Sequence, residues 1–260
     1  MRETPTFVSD AEVLAVVADG WLPDVDTVEH LPVGFGAHHW MVGRAGTPRL
    51  FVTLDGLGHR HTARSLEAAY AGAAALASGG LEFVVAPVAH RSGRFTAPLA
   101  GRALSCTPWR DGSVAGTGPI EDAGLARSNA AALTRLHAAR LDRPIPIWRP
   151  RVGPNLADTL ASRTQTSWSA GAFGEPARAA IRRRLGAIRN WTAAYHQLAD
   201  QARSRPWVPT HGEPHSRNQL ITSEGVVFVD WESLARAHAS ATCAHWSTQA
   251  MPTWWPRTGR

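Results

Sequence analysis

Lysine is absent from this 260-residue chain, and cysteine and tyrosine appear only twice each. The two cysteines, Cys106 and Cys243, are far apart and stand in no CxxC or Cys/His ligand spacing, which excludes a disulfide framework and a zinc site and leaves free thiols in a reducing compartment. No apolar run approaches the roughly 20 residues needed to cross a bilayer. The start, Met1-Arg2-Glu3-Thr4-Pro5, lacks the basic-then-apolar order of a secretory signal, so the expectation is a cytoplasmic protein without membrane attachment. With no lysine, the net charge of +6 and the pI near 10.7 rest on arginine. That charge invites a nucleic-acid partner, but Arg182-Arg183-Arg184 is the one dense basic run, it has no aromatic interleaving, and no binding module surrounds it. A solvated basic surface is the better reading.

What is present is the composition of an ordinary globular protein, 44% hydrophobic and long enough for one large or two small packed domains. The first part reads as strands and one helix. Thr27 to Val33, His39 to Arg44 and Leu50 to Leu54 are strand-like, separated by Gly34-Phe35-Gly36 and Gly46-Thr47-Pro48, as in an antiparallel meander. Thr62 to Ser78 carries Leu66, Ala69, Ala73 and Leu76 on one helical stripe and ends at Gly79-Gly80. Strands are expected again at Glu82 to Ala86 and Arg102 to Cys106. From Pro119 the pattern is mainly helical: Glu121 and Asp122 suit a first turn, Ala126, Ala130, Leu133 and Leu136 form a buried stripe, and a long helix runs from Pro176 to about Gln201. The expected division is a lobe over 1–106, a connector over 107–118 and a helical lobe over 119–260.

Chemistry concentrates in Thr210-His211-Gly212-Glu213-Pro214-His215-Ser216-Arg217-Asn218, the strand-like Gln219 to Thr222, Ser223-Glu224-Gly225, and Val226 to Val229 before Asp230-Trp231-Glu232. Two apolar runs about a short turn ending in glycine predict a β-hairpin. A three-residue turn centred on Glu224 would set 222 against 226, 220 against 228 and Asn218 against Asp230, on one face because the steps are even. An amide oxygen and a carboxylate meeting there suit a hard cation such as Mg2+, and Glu213 lies on the turn feeding the hairpin. Phosphoryl transfer needs that set: cations for a triphosphate and a carboxylate to orient a hydroxyl and take its proton.

The pattern His-Gly-acid, then Asn, then a strand ending in Asp resembles the catalytic and metal-binding loops of the aminoglycoside phosphotransferase family of small-molecule kinases. The resemblance runs over about 25–236 and is specific in 210–232. It implies an α+β, two-lobed protein-kinase-like fold, with an N-terminal antiparallel sheet carrying one helix and a mainly helical C-terminal lobe. It also implies ATP and Mg2+ as cofactors and a small hydroxylated acceptor, an antibiotic among the candidates. By the same resemblance Glu213 stands at the catalytic base, His211 braces the loop, and Asn218 and Asp230 are metal ligands. Gly34, Phe35, Gly36 and Ala37 look like a shortened phosphate loop, with His38 and His39 beside it. Leu104, Cys106 and Pro108 fall in the hinge whose backbone receives adenine. Glu67 matches the helix glutamate, and Leu133 to His137 the helix before the catalytic lobe.

Three departures accompany the resemblance. Thr53 stands where the family has the lysine that holds nucleotide phosphates; a charge-assisted contact of that kind is worth about 1.5 to 3 kcal/mol, and Arg44 or Arg49 is the expected substitute. Glu213 replaces an aspartate. The stretch after Asp230 is short, and from His238 to Arg257 it lacks helical periodicity, which suggests an altered acceptor side. A nucleotide-binding pseudokinase therefore stands beside the enzyme reading, with a basic nucleic-acid-binding protein third.

Overall fold

The computed structural model describes residues 3–34, 36–58, 60–115, 120–169 and 171–240. Phe35, Gly118, Pro119 and the whole stretch from 241, with Cys243, lie outside the described residues. The chain forms two compact units: one runs to Ile147 and resumes at Val208, the other is Trp148–Trp207. The expected connector over 107–118 lies inside the first.

That unit opens with a helix that the strand pattern had hidden. Helix α1 (Asp10–Gly20) is started by Ser9, whose hydroxyl accepts from the Glu12 amide while the Glu12 carboxylate accepts from the Ser9 amide, a reciprocal capping box. The lobe thus carries two helices where one was expected. Strands β1 (Thr27–Leu31), β2 (Ala37–Arg44) and β3 (Thr47–Asp55) form the expected meander, with α2 (Ala63–Ser78) capped by Thr62. Strands β4 (Ala97–Leu99) and β5 (Arg102–Pro108) complete an antiparallel five-stranded sheet in the order β1-β2-β3-β5-β4. The strand expected over 82–86 does not form. Val84 makes a single parallel bridge to Phe228 instead, so this apolar run belongs to the core beside the hairpin and not to the sheet.

Alternation along the strands gives the sheet two different faces. Trp40, Val42, Val52, Leu54, Leu104 and Cys106 point to one side and pack with Val13 and Val17 of α1 in a dry cluster. The other side carries Thr53, Asp55, Ala103 and Ser105, and there Ala103 meets Leu66 and Tyr70 of α2. After β6 (Ser113–Val114), α3 (Ala123–Ala138) begins at Asp122, whose carboxylate accepts from the Leu125 amide. A second core joins Ala73 and Leu76 of α2, Leu133 and Leu136 of α3, and Phe228, Trp231 and Leu234 beyond them. Buried aromatic and aliphatic groups of this size each contribute about 1.5 to 3 kcal/mol or more, so this core anchors the segment around residue 230 to two helices.

In the other unit, α4 (Leu156–Arg163) packs on the long α5 (Gly174–Arg203), tied by Arg189 to Asp158 at 2.8 Å. Arg182, Arg183 and Arg184 are exposed on α5, as a solvated face requires. The first unit then resumes at Val208, one residue into β7 (Trp207–Thr210), and continues through β8 (Gln219–Thr222), β9 (Gly225–Phe228) and β10 (Ala235–His238), with β7 beside β10 and β6 beside β8. Among the described residues no helix is long and apolar enough to cross a membrane.

Candidate active site

The hairpin β8-β9 exists, but its register differs by one from the expected pairing. Thr222 pairs with Gly225 and Gln219 with Phe228, so the turn is the two residues Ser223 and Glu224. Gly225, at φ +124°, sits in the ladder and does not end a three-residue loop. Asn218 is consequently opposite Val229, whose amide donates to the Asn218 carbonyl at 3.0 Å, and not opposite Asp230. A one-residue slip would send the next side chain to the other face of a regular strand. The backbone leaves the strand here: Asn218 ends a 3-10 turn over Ser216–Asn218, and Asp230 adopts a left-handed φ of +69°. Such a conformation costs a non-glycine residue about 1 to 3 kcal/mol and persists where surroundings enforce it. The next residue, Trp231, is almost wholly buried and donates its indole N–H to the Phe228 carbonyl at 2.9 Å.

His211 is fully buried and ties the loop together. One ring nitrogen, Nε2, lies 2.8 Å from the Val229 carbonyl, and Nδ1 accepts from the Glu213 amide at 3.4 Å, which sets the tautomer with the proton on Nε2. Burial pushes its pKa down to about 4, so the ring is neutral near pH 7, and it packs against Trp231 tilted at 46° with centroids 4.4 Å apart. The Asn218 amide group donates to the Glu213 carbonyl at 2.9 Å, which fixes its rotamer and turns its oxygen away from that carbonyl. Glu213 and Asn218 are thus brought together on one side of His211, and Asp230 follows Val229 on the other.

Two groups that the sequence reading passed over complete the cluster. Arg60, in the loop between β3 and α2, places Nη2 2.7 Å from Glu213 Oε1 and 2.9 Å from Glu232 Oε1. Glu232 is buried; desolvation and the charge of Asp230 push its carboxyl well above the usual range, whereas for Asp230 the upward push of burial is outweighed by hydrogen bonding from Glu232 and by the charge of Arg60, which hold it low. As an acceptor alone, the buried Glu232 Oε2 has no partner; carrying a proton it donates to Asp230. Spacing did offer a signal for Glu232, two positions after Asp230. For Arg60 there was none beyond a basic residue in a loop.

On the sheet side, Gly34 and Gly36 have φ of +73° and +97°, and a Cβ on Gly34 would meet His39 Nε2 at 2.5 Å. The imidazole therefore occupies the space that this glycine vacates. Ala37 begins β2 opposite Asp55, which sets the glycine turn at the Asp55 end of β3. Thr53 pairs with His39, and its hydroxyl is 3.2 Å from His39 Nδ1. Burial takes His39 to about 4, so neither partner is cationic near neutral pH. His38 points to the other face, among Phe7, His30 and Trp40. Asp55 is raised to about 6, chiefly by burial and against the pull of a 3.0 Å hydrogen bond from the Tyr70 hydroxyl.

Several expected positions are occupied otherwise. Arg44 is paired with Asp24, and Arg49 lies at the start of β3, four residues or about 13 Å of strand from Thr53, so neither substitutes for a cation there. Glu67 turns away from β3 and accepts from the amides of Phe95 at 2.9 Å and Thr96 at 2.8 Å. Leu104 and Cys106 send their side chains into the α1 core, and the Cys106 carbonyl accepts from Val88 at 2.7 Å. Pro108 ends β5, past the last pairing with β4 at Leu104. Among the described residues no three histidine, cysteine or acidic side chains converge as a metal cage. Mg2+ does not require such a cage, since it keeps water and phosphate oxygens as most of its ligands.

Comparison with known proteins bears on the family and the fold. The model of a phosphotransferase enzyme family matches residues 27–241. No curated protein sequence matches. Among solved structures, a spectinomycin phosphotransferase in complex with ADP and spectinomycin superposes with a TM-score of 0.66 at 13% identity, over 92% of this chain and 73% of that one. An aminoglycoside phosphotransferase from Alicyclobacillus acidocaldarius gives 0.55 at 17% identity, over 94% and 72%, and a choline kinase from Streptococcus pneumoniae 0.55 at 13%, over 92% and 74%. At such identities the likeness is one of fold, and it is the α+β kinase-like fold.

Proposed function

Because this chain belongs to the phosphotransferase enzyme family, we propose that it transfers the terminal phosphoryl group of ATP to a hydroxyl of a small molecule. The acceptor oxygen forms a bond to phosphorus as the bond to the bridging oxygen breaks, ADP leaves, and the hydroxyl proton passes to Glu213. The observation that carries this reading is the His211 brace: one buried imidazole contacts both the Glu213 amide and the Val229 carbonyl. It thereby holds a candidate base at a fixed offset from Asn218 and Asp230. Orientation of this kind is the larger part of catalysis in phosphoryl transfer, where the protein mainly positions groups and stabilises charge. Asn218 and Asp230 would hold Mg2+, which when bound neutralises charge on the phosphates. The glycine turn at Gly34 and Gly36 would let the backbone approach them.

The ligands of the structurally similar proteins, spectinomycin and choline among them, motivate a hydroxylated antibiotic or a comparable metabolite as acceptor. The test is ATP consumption across a panel of such acceptors, with Asp230→Ala as the control. Turnover should require Mg2+ and vanish in the variant while its circular dichroism stays unchanged; a variant that turns over normally removes Asp230 from the site. Thr53 in the place of a phosphate-holding lysine favours a second reading, a nucleotide-binding pseudokinase. Mg2+-dependent thermal stabilisation by ATP without transfer to any acceptor would select it.

A further inference from the structure

The cluster around Glu213 is rich in carboxylates and poor in cations. Asp55, Glu213, Asp230 and Glu232 all act on one guanidinium, that of Arg60, and the chain has no lysine to add. Both short ion pairs of Arg60 go through the single nitrogen Nη2. The other, Nη1, lies 3.9 Å from where a Cβ on Gly36 would stand, so the planar fork spans from the carboxylates to the glycine turn. The side chain is about two-fifths exposed, with Glu213 about one-quarter exposed, so a ligand entering beneath the turn reaches both. Arginine is suited to this place: its fork matches phosphate bidentately and keeps its charge at any physiological pH.

We propose that Arg60 is the phosphate-binding cation of this site, delivered from the loop after β3, and that in the nucleotide-free protein it is parked on Glu213 and Glu232. A phosphate chain under the glycine turn competes with Glu213 for the same guanidinium, so nucleotide binding releases the Glu213 carboxylate to face the acceptor. The proposal rests on the phosphotransferase reading, and two binding measurements separate their fates.

Isothermal titration of the full chain with ATP, ADP and adenosine, in Mg2+, gives the first. Arg60→Gln should weaken ATP and ADP by roughly ten- to a hundredfold, the range of one charge-assisted contact, and leave adenosine unchanged; Arg60→Lys should recover part of the loss. Equal loss for all three ligands means that the residue only shapes the fold and overturns the proposal. Unchanged ATP affinity in Arg60→Gln also overturns it, while leaving the phosphotransferase reading intact. A wild-type chain that binds no nucleotide at all overturns both. The second measurement is Glu213→Gln, which removes the competing charge: ATP should bind several-fold more tightly than to wild type, whereas equal or weaker binding overturns the parked state.

Discussion

Gly212 is the position where the structure permits the sharpest quantitative test. Its φ is +91°, and a Cβ built there would lie 2.5 Å from the Ser233 carbonyl oxygen and 2.7 Å from Ser233 Cβ. These are main-chain and Cβ atoms, with no flexible end to swing aside, and Leu234 beside them is in the core. Gly46 is the internal control, at φ +74° with nothing within 4 Å of an added Cβ, so alanine there meets the backbone strain alone. Left-handed strain costs about 1 to 2 kcal/mol, offset by about 0.4 to 1 kcal/mol from the lower entropy of the unfolded chain. Gly46→Ala should therefore cost about 1 kcal/mol. Gly212→Ala adds an overpacking cost of about 1 to 3 kcal/mol, for roughly 2 to 4 kcal/mol in total. Urea titration followed by circular dichroism measures both. The same displacement moves His211 and Glu213, and a shift of about 1 Å can cost about a hundredfold in rate. Equal midpoints for the two variants would refute the claim that the loop packs on Ser233, and full activity in Gly212→Ala would refute the claim that this packing positions Glu213.

The two buried histidines make stability fall on acidification. His39 and His211 have pKa values depressed to about 4 from 6.5, so the unfolded chain binds two more protons than the folded one between those values, and stability present above pH 6.5 is lost as pH falls toward 4. Asp55, raised to about 6, acts in the opposite sense and recovers part of the loss as pH drops below 6. Glu232, pushed well above its usual range, acts in the same sense as Asp55 and offsets more of the loss, so the histidine contribution is read from urea midpoints in a Glu232→Gln background, where on the order of 3 kcal/mol should be lost between pH 7 and 4; a flat profile there would mean that the two imidazoles are not buried neutral. Glu67→Ala should cost about 2 to 4 kcal/mol, since it strands the amides of Phe95 and Thr96. Hydrogen exchange should show protection lost at those two amides, and a loss of nucleotide affinity with protection intact would favour the helix-glutamate role that the resemblance implied for Glu67.

The family and the kinase-like fold were legible because a few strong local signals agree: the meander, the Thr62 helix start, and the His-Gly-acid segment feeding a hairpin. Proximity of Glu213 and Asn218 was legible too, since five residues in a tight turn cannot separate far. The hairpin register was not. A glycine after two polar residues fits a three-residue loop or a two-residue turn with Gly225 in the ladder, and only the packed partner strand β6 and the bridge from Val84 choose between them. Helix α1 escapes a reading led by the strand pattern that follows it, although Ser9-Asp10-Ala11-Glu12 carries a full capping box. Glu82 to Ala86 misleads for the reverse reason: its apolar run serves a core, and a buried run does not declare its partner. Arg60 lies beyond any local rule. Its partners are 153 and 172 positions away, and a loop arginine is ordinarily just a solvated charge.

The charge balance of the cluster decides how its acids divide their tasks. With His39 and His211 held neutral by burial, Arg60 faces several carboxylates, with His61 Nε2 3.9 Å from Glu232 beside it, and an arrangement with every acid ionised would leave buried negative charge uncompensated. The structure resolves this by asymmetry. Asp230 is kept low, whereas Glu232, two residues on and on the 3-10 turn that starts at Trp231, is pushed high by burial and by Asp230 itself. Raising one carboxyl and lowering the other is the outcome expected when two acids share one buried site. The consequence is directional. Glu232 is favoured to hold the proton and Asp230 the negative charge, while Glu232 Oε1 stays on Arg60. Under the roles proposed for Asp230 and Arg60, Glu232 would couple a cation on the one to a phosphate on the other, and a residue that the motif treats as mere sequence after the aspartate would become the link between the two.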